Sequence, residues 1–158
     1  CIGKPRPLEG GELTLKNMGN AGIMALDNKA VWVNKGNSRI KISGVGDFLE
    51  DDQDLTPSLE EVEDEDFVIL LSHNPDFFEQ IRTRKIDLVL SGHTHGGQVT
   101  FFGRWAPIIP SRYGQKYRTG IIENDYSKLI VTNGVGTITP PVRFFARPQI
   151  NVIELRRP

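Results

Sequence analysis

The chain has 158 residues and a formal net charge of −1, from 19 Lys and Arg against 20 Asp and Glu. Its 38% hydrophobic and 25% charged content suits one ordinary core and is unlike that of a wholly disordered chain. A single cysteine, Cys1, excludes an intrachain disulfide and a cysteine-built zinc cluster, and the longest apolar run, Phe67–Leu71, is far too short to span a bilayer.

Residues 1–12 are rich in Gly and Pro and read as an irregular entry segment, followed by a short helix over 13–19. The opening Cys1-Ile2-Gly3 carries neither a methionine nor a leader pattern, so the chain is expected to be a piece of a longer one. Residues 23–26, 30–33 and 39–43 have β-type content, with Asn34-Lys35-Gly36-Asn37 as a hairpin turn. Thr56-Pro57 predicts a hydroxyl cap with Pro at the first position of a short helix. The continuous apolar run Phe67–Leu71 reads as a strand buried on both faces. After it, Asn74 is placed to cap a helix, Pro75 fits its first position, and Phe77, Phe78 and Ile81 share one face. A second buried strand over 86–90 completes a βαβ unit with parallel strands. Beyond Phe102 the chain becomes loop-rich, with strands expected near 118–122, 128–132 and 150–155.

Charge is segregated along the chain. Residues 50–66 hold ten acids and no base, which leaves 19 bases against 10 acids elsewhere. The acidic stretch reads as a solvated surface. It is not an EF-hand, because Pro57 stands where such a loop needs its turn glycine. The basic remainder suits a phosphate-handling protein or an anionic surface. It has no dense Lys/Arg cluster interleaved with aromatics, so no nucleic-acid partner is expected.

The three histidines, His73, His93 and His95, fall within 23 residues. Each follows the carboxyl end of a predicted parallel strand, the edge at which open α/β sheets bind ligands. A lone histidine is usually a solvated or hydrogen-bonded structural residue, but three on one edge point to metal ligation, since neutral imidazole is a common metal donor. Gly92, Gly96 and Gly97 flank the His93-Thr94-His95 pair and permit a tight turn. Three imidazoles suit a mononuclear site. They are too few for two metals, which need bridging carboxylates as well, and Asp47 is the one aspartate evident at another strand end.

Leu71-Ser72-His73-Asn74-Pro75 and Ser91-Gly92-His93-Thr94-His95-Gly96-Gly97-Gln98 resemble the last two motifs of the calcineurin-like metallophosphoesterases. The Gly-Gly-Gln tail resembles one branch, which includes membrane-associated phosphodiesterases and a UDP-diacylglucosamine pyrophosphohydrolase. Residues 40–47 and 141–148 resemble that branch's strand-and-turn and its late Pro-x-Arg-Phe segment. The resemblance implies an α/β fold, part of a four-layer αββα sandwich with mixed sheets. It also implies hydrolysis of a phosphate ester by metal-activated hydroxide, with two divalent cations (Mn, Fe or Zn) as cofactors. By motif position His73 and His93 would share one metal and His95 would reach the other. Asn74, Gln98 and Arg143 are candidates for contact with substrate or for support of the ligands, and Arg147 is a weaker one. Asn74 also reads as a plain helix cap, Gln98 as the start of a strand, and the arginines as packing residues.

The family's opening Asp-x-His, Gly-Asp-x-x-Asp and Gly-Asn-His motifs are absent. Gly46-Asp47-Phe48-Leu49-Glu50 and Gly36-Asn37-Ser38 only mimic two of them. Residues 1–158 are therefore expected to be the carboxyl-terminal portion of one metallophosphoesterase domain, with the bridging aspartate and the general-acid histidine upstream. On that expectation the isolated chain is weakly active or inactive. A half-sandwich is also expected to self-associate through exposed edges, and any membrane association would come from a segment not in this chain. The rival reading is a nonenzymatic β-rich metal-binding or interaction fragment. A second rival takes Gly96-Gly97-Gln98 for the peptide-release tripeptide of translation factors, which would need a basic, RNA-facing setting.

Overall fold

A computed structural model describes residues 8–48 and 53–156. Helix α1 (Leu8–Asn20) precedes a hairpin of β1 (Lys29–Lys35) and β2 (Ser38–Gly44). Lys35 pairs with Ser38 across a two-residue turn in which Gly36 has φ +59°, a backbone state that glycine adopts without steric cost. A four-residue helix α2 (Thr56–Leu59) leads to β3 (Phe67–Leu71). A 3₁₀ segment, Pro75–Gln80, connects β3 to β4 (Leu88–Ser91), and β5 (Gly120–Glu123) and β6 (Lys128–Val131) complete the strands.

The six strands form one mixed sheet in the order β1-β2-β3-β4-β6-β5. The fold is thus mixed α/β with few helices, of the class the sequence predicts. The inner strands β2, β3, β4 and β6 are parallel, and the outer pairs β1·β2 and β5·β6 are antiparallel. All four parallel strands end at one edge, so the segments carrying Asp47, His73, His93 and Asn133 leave the sheet side by side.

Side chains alternate between the sheet's faces, and the register assigns Val68, Leu70, Val89, Leu129 and Val131 to the same one. These residues are 0% exposed and pack with Phe77, Phe78, Ile81 and Tyr117. Fully burying one such aliphatic side chain stabilises the fold by about 1.5–3 kcal/mol. The opposite face is covered at mid-strand, where Ile69 is 9% and Leu88 5% exposed, and opens toward the strand ends: Leu71 is 38% exposed, and a groove of about 410 Å³ runs past Met24, Leu26, Gly44, Leu71 and Leu90. The expectation that Phe67–Leu71 is buried on both faces therefore holds for Val68, Ile69 and Leu70 and fails at Leu71.

Four local expectations are corrected. Helix α1 begins at Leu8, so residues 8–12 of the expected irregular entry are helical, and its residues 1–7 lie outside the described residues. Residues 23–26 form no strand, because the chain there crosses the end of β2, where a Cβ on Gly44 would lie 2.6 Å from the Leu26 carbonyl oxygen. Residues 150–155 form no strand either; among the described residues no strand pairs with them, and Val152 is 93% exposed. Helix α2 starts one residue early, so Thr56 is helical, and the Asp54 side chain accepts its N–H at 2.8 Å. The acidic stretch is only partly a solvated surface. Asp66 accepts two hydrogen bonds from the Arg39 guanidinium, each 2.7 Å, tying β2 to the segment before β3. Residues 49–52 of that stretch lie outside the described residues.

Candidate metal centre

Beyond β3 and β4 the backbone ladder continues as two side-by-side loops. The Ser72 N–H donates to the Leu90 carbonyl at 3.0 Å, and the Gly92 N–H donates to the His73 carbonyl at 3.2 Å. Asn74 Oδ1 accepts the Asp76 N–H at 2.9 Å, so Asn74 is the cap the sequence predicts, over a 3₁₀ turn in place of an α-helix. This brings two of the histidines together. His93 Nδ1 lies 3.1 Å from His73 Nε2, with ring centroids 4.9 Å apart and planes inclined at 69°. His73 is exposed and His93 half-buried. Burial, and then the neighbouring His73, hold the His93 imidazole below its usual pKa, which favours the neutral form able to bind a metal.

His95 turns aside, and its Nδ1 lies 3.2 Å from the Gly136 carbonyl oxygen. Among the described residues no three His, Cys, Asp or Glu side chains come together. The single three-imidazole centre that the spacing suits therefore does not form among the described residues; His73 and His93 make a pair and His95 stands apart. The cause is the backbone of the turn, where His93, His95, Gly96, Gly97 and Gln98 all have φ between +50° and +80°. Non-glycine residues in that region carry strain of roughly 1–3 kcal/mol each and persist where surrounding contacts hold them. Both glycines are also required by close approach. A Cβ on Gly96 would lie 2.4 Å from Asn133 Oδ1, and one on Gly97 would lie 2.3 Å from the Ala106 Cβ.

Side chains reaching the backbone from distant loops hold this turn. Arg143 donates to the carbonyls of His95 at 3.0 Å, Ala146 at 3.1 Å, Asn133 at 2.8 Å, and Gly136. Gln98 accepts the Ile138 N–H at 2.6 Å and donates to the Ile138 and Pro140 carbonyls. Both residues thus brace the histidine turn, and the fork of Arg143 is occupied by protein carbonyls. Arg118, which the sequence reading did not single out, does the same from Gly96 to Gly103, and its own carbonyl accepts the buried Thr94 hydroxyl at 2.8 Å. Arg118 opens a predicted strand with no motif around it, so the sequence held no signal for this role.

A cleft of about 280 Å³ opens against His93, lined by Phe48, Asn74, Asp76, Pro110, Ser111 and Arg112. Its outer wall hangs from Asp76, which is 3% exposed and accepts the Ser111 hydroxyl at 2.5 Å and the Arg112 N–H at 2.8 Å.

Comparison with known proteins bears directly on this arrangement. The chain is 36% identical over 121 residues to YkuE of Bacillus subtilis (strain 168), an uncharacterized metallophosphoesterase, covering 75% of this chain and 41% of that protein. It is 30% identical over 158 residues to YaeI of Escherichia coli (strain K12), a phosphodiesterase, covering 98% of this chain and 57% of that one. The chain belongs to the calcineurin-like metallophosphoesterase superfamily. YpbG of Bacillus subtilis (strain 168), an uncharacterized protein, is a further relative at 33% identity over 138 residues, with 87% and 50% covered. This metallophosphoesterase chain spans about half the length of the curated relatives it matches. No family model and no solved structure matches it.

Proposed function

We propose that this chain supplies part of the metal centre of a metal-dependent phosphoesterase, with His73 and His93 as ligands to one divalent cation and His95 directed to a second. The observation that carries the reading is the imidazole pair at the sheet's ligand-binding edge. Two nitrogens bound to one cation at about 2.1 Å stand roughly 3.0–3.4 Å apart in octahedral or tetrahedral geometry. The His73–His93 separation of 3.1 Å fits that range. A neutral His93 suits the role, and Mn, Fe and Zn all accept such nitrogen donors alongside oxygen. Divalent cations in such a centre polarise the phosphoryl group and acidify water. The chain's own part is to fix the two rings, through the ladder bonds of Ser72 and Gly92, and to hold the His95 turn through Arg143 and Gln98. Two nitrogens are an incomplete ligand set, so further donors join the pair in the working centre, and hydrolysis by the isolated chain is weak.

The test is titration of the chain with Mn²⁺ or Zn²⁺ by calorimetry, beside turnover of bis(p-nitrophenyl) phosphate. Cation binding that drops tenfold or more in both His73→Ala and His93→Ala supports the pair as ligands. Failure of the chain to bind either cation sinks the proposal, and robust turnover by the isolated chain sinks the claim that its site is partial. No observation favours the nonenzymatic or ribosomal rivals.

A further inference from the structure

Three arginines surround the histidine loops, and their surroundings differ. The forks of Arg118 and Arg143 are turned inward onto backbone carbonyls. Arg112 is exposed and lines the same cleft as His93. Among the described residues its guanidinium makes no hydrogen bond and no ion pair; its one side-chain partner is the Phe48 ring, 5.2 Å from the guanidinium carbon. A guanidinium resting on an aromatic face keeps its in-plane N–H fork available, and that fork matches the oxygens of a phosphate. No side-chain bond or ion pair joins the fork to the neighbouring Asp76 carboxylate, whose Oδ1 accepts the Ser111 hydroxyl and Oδ2 the Arg112 backbone N–H. Asp76 instead fixes the wall of the cleft from which the Arg112 side chain projects.

We infer that Arg112 is the substrate-binding cation of the cleft, its fork taking the non-bridging oxygens of a phosphate group bound beside His93, with Phe48 and Asp76 positioning it. This rests on the phosphoesterase reading of the site. The cleft of about 280 Å³ lies at the small end for organic ligands. It takes the phosphoryl head of an ester and leaves the rest of the substrate outside. A planar fork gripping two oxygens also distinguishes this contact from a diffuse basic surface, because lysine at the same place offers only a point charge.

The experiment measures binding of inorganic phosphate to the chain by calorimetry in the presence of Mn²⁺, and follows the NMR signal of the Arg112 Nε–H with diamagnetic Zn²⁺ in place of Mn²⁺. The expected result is a phosphate-dependent shift of that signal in the unaltered chain. Arg112→Gln is expected to weaken phosphate binding at least tenfold, and Arg112→Lys by a smaller factor, with Mn²⁺ affinity and melting temperature unchanged in both. Phosphate binding that is indifferent to Arg112→Gln, or absent from the unaltered chain, overturns the inference. Loss of Mn²⁺ binding is a separate readout: if the unaltered chain binds no Mn²⁺, the metal reading fails. If it binds Mn²⁺ through His73 and His93 while phosphate ignores Arg112, this inference alone fails.

Discussion

The strands beneath the site and the loops that form it are held by different forces. In the sheet, Val68, Leu70, Val89, Leu129 and Val131 are fully buried and pack against Phe77, Phe78 and Ile81. Their positions follow from removal of apolar surface from water, which is non-directional and tolerant of which hydrophobic residue stands where. In the loops, residues 93–98 run through five left-handed backbone positions, and the order there comes from Arg143, Gln98 and Arg118 reaching particular carbonyls. The stack gives the molecule its stability, and the polar braces give the histidines their places. A change in one region should therefore be separable from a change in the other.

The largest effects are expected where both kinds of order fail together. Gly97→Ala forces a Cβ against Ala106 and puts a side chain on a residue with φ +80°. It should cost about 2–5 kcal/mol, from overpacking plus left-handed strain, and remove cation binding, as chemical denaturation and calorimetry would show. Leu70→Ala should cost a similar amount, about 2–5 kcal/mol, through the cavity it leaves. The folded fraction of that variant should bind Mn²⁺ as the unaltered chain does; a matching loss of affinity would break the proposed separation.

Arg143→Met tests the converse. It leaves several carbonyls without their donor, at about 1–3 kcal/mol, and releases the His95 turn. A supporting residue of this kind typically changes metal affinity or activity by about 10–100-fold. That ratio of functional to stability loss should exceed the one for Leu70→Ala. Asn74→Ala removes the cap on Asp76 N–H and should cost about 1 kcal/mol in denaturant melts.

The smallest effect should come from the Arg39–Asp66 pair at the far end of the strands. Hydrogen bonding from Arg39 holds the Asp66 carboxyl below its ordinary pKa. A carboxyl depressed on folding stabilises the protein above its unfolded pKa, about 3.9, and that contribution is lost as pH falls through the lower folded value. Asp66→Asn should therefore lower the melting temperature slightly near neutral pH and make its decline below about pH 4 shallower. An unchanged acid limb would remove this pair from the stability of the sheet.

Composition, the run Phe67–Leu71, Asn74-Pro75 and the flanking glycines of His93-Thr94-His95 are enough to predict the parallel pair β3–β4, the cap, and a histidine-bearing edge, though not that the connection is 3₁₀. Those features are local: hydrophobic runs, turn chemistry and capping depend on neighbours a few residues away. Their limits are also physical. The segment at 150–155 has strand composition, but a strand exists only where a partner strand lies beside it. The second buried strand starts at Leu88 and not at 86; just before it, the Asp87 carboxylate accepts the Val68 N–H at 2.7 Å while its own N–H donates to the Val68 carbonyl at 3.1 Å.

Runs, turn residues and motifs along the chain are enough for the class of the fold, the family, and the placement of all three histidines after strand ends. Tertiary contacts set the 3.1 Å approach of His73 to His93, the bracing of the backbone by Arg143 and Gln98, and the exposure of Arg112 to the cleft with its fork unoccupied. Those features depend on contacts between residues 20 to 48 apart in sequence, such as His73 with His93, Asp76 with Arg112 and Arg143 with His95. No local pattern encodes where such a side chain will find its partner.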